Sequence, residues 1–131
     1  MIAVDTNVLV RLLVGDNAAH ATKAKKIFDN AASEAFVVWV SDSVLVELVW
    51  TLSRAYARDR AEIAMALRAL LSHASVALES VSAAMEATAL FEIGPADFAD
   101  CLLSVKAKNA GCTNLMTFDR GMKNLPGVKL L

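Results

Sequence analysis

Short apolar runs alternate along this chain with longer amphipathic stretches, a pattern that predicts strands and helices by turns. Residues 2–5 form an apolar strand ending on Asp5, and residues 6–14 read as a helix that Gly15 stops. Residues 17–32 give a second helical stretch carrying Lys23, Lys25 and Lys26. Residues 35–40 (AFVVWV) are β-branched and aromatic, which predicts a strand buried on both faces. Ser41, Asp42 and Ser43 supply capping groups for a helix over residues 44–57, and an amphipathic helix follows over residues 60–73. A strand at 76–78, a helix at 81–93 broken by Gly94 and Pro95, and a helix at 97–110 stopped by Gly111 come next. Residues 114–118 (NLMTF) predict a strand, Asp119 opens a turn, and residues 128–131 a last strand. The alternation predicts the α/β class: a three-layer α/β/α arrangement with a central, mainly parallel sheet. With no repeats, linkers or low-complexity tracts, a single domain over residues 1–131 is expected.

The helix over residues 44–57 is the most instructive segment. Its polar positions, Ser43, Glu47, Thr51, Arg54 and Arg58, fall at spacings of four, four, three and four, which is one narrow stripe. A helix so apolar elsewhere must be covered on two sides, by the sheet and by a neighbouring helix or a second subunit.

Composition narrows the options. Hydrophobic residues make up 56% of the chain and mean hydropathy is +0.48, yet no apolar run approaches the roughly 18 residues of a membrane span. The first residues are cut by Asp5, Asn7 and Arg11 and lack the pattern of a signal peptide. The excess of apolar residues is expected to serve a partner chain or self-association. A net charge of −1 excludes a binder that works through a bulk basic field, though not an enzyme with local basic patches. Cys101 and Cys112 are read as reduced, buried apolar residues, which places the chain in the cytoplasm. His20 and His73 are read as ordinary surface residues.

Four acids then stand out: Asp5, Glu47, Asp100 and Asp119. Asp5 lies at the carboxyl end of a strand, where ligands bind in open parallel sheets. It could also cap the following helix, a task that Thr6 could take over. Glu47 is out of register for a capping box begun at Ser43, and pairing with Thr51 or Arg54 would contribute only a few tenths of a kcal/mol. Asp97 and Asp100 share a helix face; Asp97 is taken as the cap and Asp100 as the functional acid, with Asp97 as fallback. Asp119 follows an apolar strand and could equally cap a turn. If the acids meet, like charges about 5 Å apart cost roughly 3 kcal/mol per pair at an effective dielectric near 20. Such a cluster takes up protons or holds a cation. An oxygen-only donor set suits Mg²⁺ or Mn²⁺.

The stretches carrying these acids resemble the PIN-domain nucleases, particularly the VapC-type toxins of bacterial toxin–antitoxin pairs. They are Val4-Asp5-Thr6-Asn7-Val8-Leu9-Val10-Arg11, Val44-Leu45-Val46-Glu47-Leu48, Phe98-Ala99-Asp100-Cys101-Leu102-Leu103 and Thr117-Phe118-Asp119-Arg120, in the family's order and spread over nearly the whole chain. The resemblance implies a three-layer α/β/α fold, Mg²⁺- or Mn²⁺-dependent RNA cleavage, a homodimer and inhibition by a small antitoxin. It gives Asp5, Glu47, Asp100 and Asp119 the metal-site roles, with Thr6, Asn7 and Thr117 as supporting groups.

The chemistry expected is attack of a metal-activated water on RNA, with one or two ions, leaving 5′-phosphate and 3′-hydroxyl ends. Glu47 would bind the ion or take a proton from that water. Arg54 and Arg58, on the Glu47 stripe, and Lys106 and Lys108, after Asp100, are the candidate phosphate contacts. Two rivals stand beside this reading. One is a catalytically inactive module of the same fold that binds a basic partner peptide. The other is an aspartyl-nucleophile phosphohydrolase built on Asp5, whose usual second acid two residues on is here Asn7.

Overall fold

The computed structural model describes residues 1–131, which divide into two compact units, Met1–Val81 and Ser82–Leu131. The first unit contains β1 (Ile2–Ala3), α1 (Thr6–Val14), α2 (Ala18–Ser33), β2 (Val38–Val40), α3 (Asp42–Arg54), α4 (Arg60–Leu71) and β3 (Val76–Leu78). Its sheet has the order β1-β2-β3, all parallel, with Ile2 opposite Val38 and Val38 opposite Val76. Parallel neighbours need crossovers, and the helices supply them.

Why these residues form these elements is visible at their ends. Gly15 closes α1 in a left-handed conformation (φ 69°), its N–H donating to the Arg11 carbonyl. Asn17 caps α2 by accepting from the His20 N–H. Asp59 and Glu62 form a reciprocal capping box at the start of α4. The expected strand over residues 35–40 is shorter than its composition predicted. Ala35 takes the left-handed position (φ 56°) and the Phe36 N–H returns to the Ala31 carbonyl, so these residues finish α2 instead. Val38 and Val40 are fully buried but Trp39 only half, so the strand is not buried on both faces.

The capping of α3 also differs from expectation. Ser41, not Ser43, is the N-cap, with its Oγ accepting from the Val44 N–H. The helix ends at Arg54, and Ala57 has φ 51°, so Arg58 does not continue the Glu47 stripe as expected. Leu45, Leu48, Val49 and Leu52 are buried, and Trp50 remains 61% exposed. Helices α1 and α4 both pack against α3. The remaining core of this unit comes from Leu9, Phe28, Val38, Ile63, Leu67 and their neighbours.

The second unit contains α5 (from Val81–Ile93), α6 (Phe98–Asn109), β4 (Leu115–Thr117), a 3₁₀ turn (Arg120–Met122) and β5 (Val128–Leu130). Strands β4 and β5 pair in parallel, Leu115 opposite Val128. Phe91 and Phe98 meet edge to face at 6.1 Å across the break between α5 and α6. Ser104, buried on α6, donates to the Pro126 carbonyl at 2.7 Å and so ties the turn before β5 to the helix. Both cysteines are free; Cys101 is buried as expected, but Cys112 is exposed, because it follows the Gly111 stop rather than lying on the helix. His73 is more than a surface residue: its ring meets Phe28 edge to face at 5.5 Å, and its Nδ1 accepts from the Ser75 N–H. No helix is long and apolar enough to cross a membrane.

Candidate functional site

In the first unit β1 delivers Asp5. The ladder runs one bond past the strand, from the Val4 N–H to the Trp39 carbonyl, and Asp5 follows at once. Its backbone is extended (φ −91°, ψ 178°) and its Oδ1 accepts from the Val8 N–H at 3.3 Å, so Asp5 itself caps α1. The idea that Thr6 takes over the cap is therefore corrected. Thr6 is the first helical residue, only 4% exposed, and its Oγ1 has no hydrogen-bond partner. A buried hydroxyl left unsatisfied costs about 1–3 kcal/mol, so one beside an acid calls for a ligand or a water. The Asp5 cap bond is long and leaves the second carboxylate oxygen available. Asn7 is exposed in the first turn of α1.

Glu47 projects from the middle of α3 and is exposed. The pairings that would give it a structural role, with Thr51 or Arg54, are absent from the protein's hydrogen bonds and ion pairs. Arg54 is exposed in the last turn of α3, while Arg58, beyond the helix, has its Nη1 3.6 Å from Glu62.

In the second unit the charges of two acids bear on a third. Asp97 occupies the N-cap position of α6, as expected, but its side chain makes no capping bond. Asp100 lies in the first turn, half-buried. Burial first, and then the carboxylates of Asp97 and Asp119, push the Asp100 pKa above its ordinary value. Asp119 is held firmly: its Oδ1 accepts from the Gly121 N–H at 2.8 Å and its own N–H donates to the Thr117 Oγ1 at 3.0 Å. Thr117 thus fixes the backbone of the acid two residues on. Between them Phe118 is 82% exposed. Lys106 and Lys108 lie in the last turn of α6, and Lys108 sits 3.5 Å from Glu86.

Asp100 feels the charge of Asp97 and Asp119, yet in neither unit do three acidic, histidine or cysteine side chains converge closely enough to enclose a cation. Their type still fits a hard divalent ion. The donors are carboxylate oxygens, Asp97 and Glu47 are not committed to structural bonds, and the strain on Asp100 is of the kind a cation relieves.

One grouping was missed in the sequence. Asn7 and Arg11 of α1 and His20 and Lys23 of α2 line a common cleft of about 310 Å³. The signal is present as i,i+4 and i,i+3 spacings on adjacent helices, but taken singly His20 reads as an ordinary surface residue.

Comparison with known proteins adds to this geometry. The model of the PIN domain matches residues 2–128, a span that runs through both units. The chain is also similar to a VapC ribonuclease of Aquifex aeolicus, with 30% identity over 121 residues, covering 92% of this chain and 89% of that one.

Proposed function

This chain belongs to the PIN-domain family, in its VapC-type branch and with its three-layer α/β/α fold, and from that premise we propose that it is a divalent-metal-dependent endoribonuclease, the toxin of a VapBC-type pair. The observation that carries the proposal is the half-buried Asp100, whose carboxyl is held above its ordinary pKa first by burial and then by the charges of Asp97 and Asp119. A bound Mg²⁺ or Mn²⁺ would turn that unfavourable charge to use.

Asp5, Glu47, Asp100 and Asp119 are assigned to one ion site, on the order of the motifs along the chain. A bound ion would supply an activated water and neutralise the scissile phosphate. Asp5 is oriented for its part by the Val8 N–H, and Asp119 by the Gly121 N–H and the Thr117 hydroxyl. Glu47, exposed and unpaired, is assigned to accept a proton from the attacking water. Thr6 and Asn7 support Asp5, and Asp97 is the alternative to Asp100 as ligand. Arg54, Arg58, Lys106 and Lys108 are assigned to RNA phosphates, Arg58 and Lys108 at the expense of weak surface pairs with Glu62 and Glu86.

The proposal includes a small antitoxin of VapB type, a cytoplasmic setting and a homodimer. Exposed Trp50 and Met65 in the first unit support a self-association face. The absence of a preformed chelating cluster favours one competing reading, an inactive module of this fold holding a basic peptide. Incubation of the protein with total cellular RNA separates the two. Cleavage with Mg²⁺ or Mn²⁺, abolished by EDTA and leaving 5′-phosphate ends, is expected; no turnover with either ion would leave the binding module.

A further inference from the structure

The cleft between α1 and α2 has a polar lining that is basic and amide in character. Lys23, Arg11 and His20 contribute cationic or donor groups, and Asn7, two residues on from Asp5, adds an amide. Val8, Ala24 and Ile27 form an apolar floor. Arg11 is fixed in place, 2.6 Å from Asp16, and Asp16 also accepts from the Tyr56 hydroxyl at 2.8 Å. The hydrogen bonds from Arg11 and then Tyr56 hold the Asp16 carboxyl below its ordinary pKa, so that clamp stays ionised. Arg11 keeps most of its donors for another acceptor. Lys23 and His20 enter none of the protein's ion pairs, whereas Lys25, on the same helix, is held by Asp29 at 2.7 Å. Helix α2 carries three lysines against a single acid.

We infer that this cleft binds one unpaired nucleotide of the RNA strand, flanking the position that is cut. Its volume of about 310 Å³ lies at the lower end of the roughly 300–1,000 Å³ of small-molecule pockets, a size for one base rather than a base pair. Single-stranded RNA offers such splayed bases, and proteins hold them by an apolar or aromatic platform together with cations on the phosphate. Here Lys23 and Arg11 meet the phosphate, the base lies over Val8, Ala24 and Ile27, and Asn7 and His20 hydrogen-bond its edge. The short step along α1 from Asn7 to Asp5 makes the cleft a positioning site for the strand. The assignment deepens the ribonuclease reading and rests on it for the identity of the strand.

The test is fluorescence anisotropy of a labelled single-stranded RNA oligonucleotide in EDTA, with Lys23→Gln and, as control, Lys25→Gln. Lys23→Gln is expected to weaken binding about tenfold, the loss of one charge-assisted hydrogen bond. It should also lower the salt-dependence slope by about 0.7, the release of one counterion on a single strand. Lys25→Gln should do neither. In cleavage with Mg²⁺, Lys23→Gln should raise KM more than it lowers kcat. Three results overturn the inference: wild-type affinity in Lys23→Gln, equal losses in both variants, or displacement of the RNA by a polyglutamate peptide of equal charge. The last would assign the cleft to an acidic protein segment. A wild-type protein that cleaves no RNA would instead sink the nuclease reading, and Lys23-dependent RNA binding would survive it.

Discussion

Asp5 carries two jobs that substitution can separate. As N-cap of α1 it accepts from the Val8 N–H at 3.3 Å, a long and exposed bond. Replacement of such a cap by Ala costs roughly 0.5–2 kcal/mol, and the weak geometry puts Asp5→Ala near the lower half, about 0.5–1 kcal/mol. For 131 residues, an unfolding entropy of roughly 2.1 cal/mol/K per residue turns that into a fall in Tm of about 2–4 °C. Asn ranks beside Asp at N-caps, so Asp5→Asn should unfold within about 1 °C of the wild type. The metal role needs the charge, which both variants lack. Divalent-dependent RNA cleavage should therefore fall by at least the order of 10²–10³ that loss of one electrostatic group costs elsewhere, in both variants alike. Differential scanning calorimetry without metal, paired with initial cleavage rates, reads both effects. Asp5→Asn that folds normally and still cleaves would refute the reasoning, because Asp5 would then be a cap and nothing more.

Asp100→Asn should raise Tm in EDTA at neutral pH. The folded-state pKa of Asp100 is raised, so its contribution is favourable below the unfolded pKa and is lost as pH rises through the folded one; the gain from Asn should accordingly vanish in acid. Saturating Mg²⁺ or Mn²⁺, at about 100 times its Kd, should stabilise the wild type by about 2.7 kcal/mol, about 10 °C, and Asp100→Asn much less; thermal shift against metal concentration checks this. Ser104→Ala leaves the Pro126 carbonyl without its 2.7 Å donor and should cost about 1–3 kcal/mol in a denaturant titration, with the midpoint shifted and the slope kept.

How far the sequence disclosed this fold follows its punctuation. Helix α1 ends where Gly15 supplies a left-handed turn, and α5 ends at the Gly94–Pro95 break. Where an alanine takes the left-handed conformation, residue type gives no warning. Ala35 shortened the expected strand, and Ala57 moved Arg58 off the Glu47 stripe. Of the acids, the i,i+3 relation of Asp97 and Asp100 was legible in the spacing. The influence of Asp119 on Asp100 was not, since β4 and the turn after it bring that residue in from a separate part of the chain. The basic cleft escaped notice for a similar reason. Each of its helices contributes only two polar groups, and only the packing of α1 on α2 joins them.

The central claim, that four acids share a divalent ion, is tested most directly by calorimetric titration of Mn²⁺ into the wild type and into Asp5→Asn, Glu47→Gln, Asp100→Asn and Asp119→Asn. Saturable binding by the wild type is expected, weakened about 10–100-fold or more in each variant, the range that loss of even an outer supporting group produces. Wild-type Mn²⁺ affinity in all four variants, or none in the wild type, would contradict it.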